Sequence, residues 1–162
     1  DSVASLPVHP TELYESVAAA VLLAGLLALR SRSSFRGQVF LAYIAGYGAL
    51  RFLLEIVRDD PERGFYGPTF TPALLVGLGL LVMATAFAMG PSRSLRAPRS
   101  RWTARIAAFA AAFAGYLVAR HGAPSLVRFS TSQWTALATS IAVAVAWRAR
   151  DARSLRAVAA PM

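Results

Sequence analysis

The chain has 162 residues, of which 56% are hydrophobic and only 15% charged, with a mean hydropathy of +0.49. A soluble domain carries about 25% charged residues, so this composition excludes both an ordinary soluble enzyme and a disordered segment. Cysteine is absent, which removes disulfides, thiolate metal sites and a cysteine nucleophile belonging to the chain.

Five apolar segments follow one another near residues 14–29, 38–57, 72–89, 104–119 and 133–147. Crossing about 30 Å of hydrocarbon takes roughly 20 helical residues. The second and third segments meet that length. The first meets it if the helix already begins near Pro10, and the fifth if Ser130 to Ser132 belong to it. The fourth is short, alanine-rich and interrupted by Arg105. The expected fold is all-α, a polytopic transmembrane helix bundle with about five spans. Two regions are expected, residues 1–89 and an additional membrane region at 90–162 with two further helices and a basic tail.

All 17 basic residues are arginine, and they give the chain a net charge of +9. They cluster between the apolar segments, at Arg30, Arg32 and Arg36, then from Arg93 to Arg105, then from Arg148 to Arg156. A nucleic-acid binder places its basic stripe on a folded soluble face, so no nucleic-acid partner is expected. Basic and less basic loops alternate along the chain, which orients the basic loops and the C-terminus toward the cytoplasm. The loop at 58–71, with Asp59, Asp60 and Glu62, then faces outward together with His9. The start at Asp1, with neither a signal peptide nor a preceding apolar span, reads as that of a fragment.

The polar residues inside the spans carry the chemistry. Tyr43, Tyr47, Arg51 and Glu55 recur at four-residue steps on the second span, which places them within an arc of roughly 120°, and Arg58 returns to the same face. An ionised side chain at that depth costs at least about 2.5 kcal/mol unless it faces protein or a watery cavity. Two readings of this face are open. Arg51 and Glu55 form a self-neutralising structural pair, or Arg51 is a bidentate phosphate clamp whose rotamer Glu55 fixes while the tyrosine hydroxyls donate to a polar ligand. A second group, His9-Pro10-Thr11-Glu12-Leu13-Tyr14-Glu15, reads as a helix start. Pro10 suits the first turn, Glu12 and Glu15 complement its positive end, and Tyr14 sits in the interfacial belt.

These two groups together resemble the C-terminal half of prolipoprotein diacylglyceryl transferases. Members of that family typically read His-Pro-Ser/Thr-Gln-Leu-Tyr-Glu, followed one helix later by Tyr-Gly-x-x-Arg-Phe-x-x-Glu. Here the second motif is Tyr47-Gly48-x-x-Arg51-Phe52-x-x-Glu55-x-x-Arg58, and Glu12 stands where the family usually has glutamine. The resemblance covers roughly residues 7–68. It implies a multi-pass enzyme of the bacterial inner membrane with its active side toward the periplasm. The implied reaction moves a diacylglyceryl group from phosphatidylglycerol to the lipobox cysteine of a prolipoprotein, without metal or cofactor. Carried over residue by residue, it assigns catalytic roles to Arg51, Tyr47 and His9. Glu55, Tyr43, Arg58 and Tyr14 join Arg51 as substrate-binding residues.

The family's N-terminal half, with its His-Gly-Gly segment and its Asn/Arg-rich signature, has no counterpart in these 162 residues. The resemblance thus implies that the chain alone is an incomplete enzyme. Family members close with a Ser-x-x-Gln segment and one last helix. Thr69-Phe70-Thr71-Pro72 occupies the expected place without those residues, whereas Ser130-Thr131-Ser132-Gln133 has them sixty residues later. Either the two helices at 72–119 are inserted before the last one, which the outward-facing helix start slightly favours, or 90–162 is an extension and the later match is chance. The competing reading is a non-catalytic membrane protein, a degenerate relative or a transporter segment, with a structural Arg51–Glu55 pair. Gly46 and Gly48, mirrored by Gly77 and Gly79, lack the adjacent proline that would break a transporter helix.

Overall fold

A computed structural model describes residues 11–57, 64–95, 97–121 and 126–159. His9, Arg58 and the acidic residues 59–62 lie outside the described residues. Five helices carry the fold: α1 (Thr11–Arg30), α2 (Gln38–Val57), α3 (Pro72–Met89), α4 (Pro98–Ala119) and α5 (Thr131–Ala159). A 3-10 turn, Pro91–Ser94, follows α3. Two short strands, β1 (Phe65–Phe70) and β2 (Val127–Ser130), join the loops at the end opposite the arginine clusters.

Each helix end has a local cause. Pro72 and Pro98 stand in the first turns of α3 and α4, where the missing N–H is no loss. Thr71 caps α3 by accepting from the Leu74 N–H at 3.3 Å. Gly37, just before α2, has φ of 91°, a left-handed backbone that glycine adopts without strain.

Four of the five helices are long and apolar enough to cross a membrane: Thr11–Arg30, Gln38–Ile56, Pro72–Ser94 with the 3-10 turn included, and Pro98–Ala119. The chain is a multi-pass membrane bundle. The fourth helix reaches this length by starting at Pro98. Its Arg105 is accommodated because its Nε donates to Ser92 Oγ at 2.9 Å and its guanidinium lies 5.5 Å from the Trp102 ring centre.

The fifth helix, α5, is less apolar than these four and stands outside that set, while its 29 residues run from the strand pair to the arginine-rich end, in keeping with a bundle of about five helices. Its first turns carry Ser, Thr and Gln. Thr135, Thr139 and Ser140 return their hydroxyls to carbonyls of the preceding turn, Thr131 O, Thr135 O and Ala136 O, at 2.7 to 2.8 Å. That internal pairing lowers the cost of burying them.

Packing places α5 at the centre. It lies against α2 on one side and α3 on the other, α4 packs on α3, and α1 leans on α2. Phe52, Leu75, Val76, Phe129, Ala136 and Leu137 form the buried core, so α2, α3, β2 and α5 all contribute. No residue of α1 is buried, and Val17, Val21, Leu23 and Leu27 point outward as expected of a lipid-facing surface.

The strand pair is the element that the apolar pattern did not announce. It is antiparallel, with Phe65 opposite Ser130, Tyr66 opposite Phe129 and Phe70 opposite Val127, and its register slips between Tyr66 and Phe70. Backbone groups near lipid must find partners within the protein, and these two loops supply each other's. The Phe129 ring lies 5.0 Å from Trp134, 5.6 Å from Phe70 and 6.3 Å from Phe52, which locks the sheet onto the helical core.

Gly79 provides the closest test of this packing. A methyl group there would run into the ring of Phe52, which is fully buried and has nowhere to go. Gly79→Ala is expected to lose about 1–3 kcal/mol, read as a lower thermal unfolding midpoint by circular dichroism in micelles. Gly25→Ala, which meets nothing within 4 Å, should leave the midpoint unchanged or raise it.

Candidate active site

Arg51 lies six residues before the end of α2, roughly 9 Å along the axis from that end. Its guanidinium is held by two carboxylates from two helices. Nη1 donates to Glu15 Oε1 on α1 at 3.4 Å, and Nη2 lies 4.0 Å from Glu55 Oε2 one turn onward on α2. The three side chains are exposed to different degrees: Glu55 by 5%, Arg51 by 26% and Glu15 by 49%. Glu55 is therefore the fixed inner partner and Glu15 the solvent-side one.

Tyr43 and Tyr47 continue the face, their rings stacked with centres 5.9 Å apart. Together with Arg51 they form a ridge between two grooves. On one side, between α1 and α2, is a groove of about 260 Å³ whose walls are Ala18, Ala19, Leu22, Leu23 and Leu26 with Leu50 and Leu54, and whose polar end is Glu15 and Arg51. On the other side, between α2 and α5, is a groove of about 410 Å³ lined by Thr131, Ser132, Thr135 and Thr139. One cation thus borders an apolar slot and a hydroxyl-bearing slot.

The first turn of α5 shapes the second groove. Ser130 and Gln133 are buried and cap each other: the Ser130 N–H donates to Gln133 Oε1 at 3.1 Å and the Gln133 N–H to Ser130 Oγ at 3.2 Å. This reciprocal capping box satisfies two donors that would otherwise be orphaned at the helix start. Trp134 Nε1 donates to Tyr66 O at 3.1 Å, and Gly67 (φ 92°) leaves room for its indole, so the sheet and α5 are aligned together.

The structure therefore brings Tyr43, Tyr47, Arg51 and Glu55 to one face, as their four-residue spacing required. It sets Glu55 behind Arg51, outside both groove linings. Tyr14 is exposed on α1 next to Glu15 and also lines neither groove. His9 and Arg58 fall outside the described residues, and no group of three or more metal-ligating side chains occurs among the described ones.

Two participants were not foreseen. Glu15 was read as a helix-dipole residue, and only the packing of α1 on α2 shows it as a partner of Arg51. The hydroxyl wall of α5 had a visible signal, Thr131, Thr135 and Thr139 at four-residue steps.

Comparison with known proteins addresses the origin of this arrangement. A family model described as prolipoprotein diacylglyceryl transferase matches residues 1–90, which include α1, α2, β1 and α3. The chain belongs to this family. A relative from Geobacter sulfurreducens, named phosphatidylglycerol–prolipoprotein diacylglyceryl transferase, is 36% identical over 95 residues, covering 53% of this chain and 36% of that protein. Relatives of the same name from Nocardia farcinica and Oceanobacillus iheyensis are 35% identical over 112 residues and 46% over 52. They share 65% and 32% of this chain, and 23% and 18% of their own lengths. The chain thus spans about a third or less of these family members. No solved structure matches it.

The capping box is testable apart from any activity. Ser130→Ala is expected to cost about 1 kcal/mol, seen as faster hydrogen exchange in the first turn of α5, while exchange in the middle of α2 stays slow.

Proposed function

We propose that this chain is the C-terminal, phosphate-binding part of an enzyme that moves a diacylglyceryl group from phosphatidylglycerol to the lipobox cysteine thiol of prolipoproteins. The sulfur forms a bond to the glyceryl carbon that carries the phosphate ester. The carbon–oxygen bond breaks, and glycerol phosphate leaves with the electron pair. The thiol proton goes to a base supplied by the family's N-terminal half. Arg51 holds the phosphate and stabilises the charge that grows on the leaving oxygen. Tyr47 and Tyr43 donate hydrogen bonds beside it, and Glu55 holds the guanidinium in position. His9 and Arg58 complete the set by their places in the motifs.

The observation that carries this reading is the position of Arg51, partly exposed at headgroup depth on the border between an apolar and a hydroxyl-lined groove. Acyl chains suit the first groove, and the glycerol and peptide groups suit the second. When the phosphate binds, Glu15 gives up the guanidinium, since it is the more exposed partner and its contact is long. The arginine-rich loops orient the bundle with its basic end in the cytoplasm and Arg51 on the periplasmic side of the inner membrane. The family match runs through α3, which supports reading residues 1–89 as the transferase region and residues 90–162 as an addition to it.

The alternative of a non-catalytic protein draws on the same salt bridges, because Arg51 ties α1 to α2 whether or not a ligand arrives. One experiment separates the two. The protein expressed from its full reading frame is assayed in membranes with phosphatidylglycerol and a lipobox peptide. Arg51→Ala is expected to lower kcat by roughly 10²–10³ with the protein still inserted and folded, and Arg51→Lys to recover little of it because a point charge cannot bind the phosphate bidentately. Full activity in Arg51→Ala, or none in the wild type, overturns the transferase reading in favour of the structural one.

A further inference from the structure

We infer that the opposite, arginine-rich end of the bundle holds a second lipid-binding site, a seat for the phosphate of an anionic phospholipid from the leaflet at that end. The site is a cavity of about 680 Å³ between α1, the 3-10 turn and the ends of α4 and α5. Ala28 and Leu29 form its apolar wall, continuous with the outward-facing surface of α1, while Arg32, Ser94 and Ser100 form its polar mouth and Trp147 its floor.

The hydroxyl of Ser94 gives the cavity its chemical preference. A serine oxygen accepts two hydrogen bonds and donates one. Both acceptor places are filled, by Gln38 Nε2 at 2.8 Å and Trp147 Nε1 at 3.1 Å. Gln38 is in turn fixed, since its Oε1 accepts from the Ser34 backbone N–H and from Ser34 Oγ. Ser94 can therefore act toward the cavity only as a donor, and among the described residues no acceptor takes its proton. The guanidinium of Arg32 and the hydroxyl of Ser100 likewise have no acceptor among the described residues. Three donor-bearing residues thus line one cavity, and its lining includes no acidic side chain.

The surroundings match. Arg30, Arg36, Arg93, Arg99, Arg148 and Arg150 are all exposed at this end, against the single acid Asp151 among the described residues there. Basic loops alone would follow from membrane orientation. A cavity that pairs these donors with an apolar wall open to lipid goes further and selects a phosphate that carries acyl chains. Measured along α2 from Gln38, which holds Ser94, the site lies about 20 Å from Arg51, and it does not rest on the transferase reading.

The test uses the protein expressed from its full reading frame in phosphatidylcholine nanodiscs doped with phosphatidylglycerol, with native mass spectrometry counting the phosphatidylglycerol retained. An Arg51→Ala background removes the site at the other end. In that background one phosphatidylglycerol is expected to remain bound. Adding Arg32→Gln or Ser100→Ala should weaken its retention by roughly tenfold each, and adding Ser94→Ala should do so at least as strongly. Equal retention in the Arg32→Gln and Ser100→Ala variants overturns the proposal, whatever Ser94→Ala does to folding. Displacement of the lipid by inorganic phosphate, or equal retention of phosphatidylcholine, also overturns it, by showing a free-anion site or an unselective apolar cleft.

Discussion

A guanidinium set two turns inside an apolar helix has to be neutralised, and the way Arg51 meets that requirement organises the whole outer end of the bundle. Glu55 supplies a fixed partner one turn away, and Glu15 reaches across from α1. The first contact lies within α2 itself, at 4.0 Å. The second joins a helix that has no buried residue of its own to the rest of the protein. The two tyrosines, stacked along the same face, extend the ridge that separates one groove from the other. Candidate site and helix packing thus share the same ion pairs.

The rest of the bundle shows a second solution to the same physical demand. Polar groups in or near lipid are satisfied locally: threonines of α5 on their own helix, Ser130 and Gln133 on each other, Arg105 on a serine hydroxyl and an indole face, two loops on one another as strands. Buried Gln38 joins three segments at the basic end in the same manner. α5, the least apolar helix, occupies the middle because its neighbours shield it on both sides.

What could be read from the sequence, and what could not, follows from the range of the forces involved. The helices, their order and the shared face of Tyr43, Tyr47, Arg51 and Glu55 come from periodicity within single segments, and the apolar runs display it directly. The pairing of β1 with β2 depends on residues far apart in the chain, such as Phe65 and Ser130, and FYGPTF shows no alternation that would mark a strand. Glu15 could be placed on α1 from its position but not aimed at Arg51, because the rotation of one helix against another is a property of the packed pair. The weaker hydropathy of α5 has a related reason: one of its faces, with Gln133, Ala136, Leu137, Ser140, Val143, Ala144 and Trp147, is buried against protein.

The strand pair also fixes an order of events. β1 is synthesised before α3 and α4, and its partner arrives only after both. Until β2 emerges, the backbone of β1 lacks its ladder, the ring of Phe129 is missing from the core beside Phe52, and the α5 wall of the hydroxyl-lined groove does not exist. Loop closure across that distance is slow compared with helix formation. The end of the bundle that carries the strand pair therefore cannot be completed until α3 and α4 have both been synthesised.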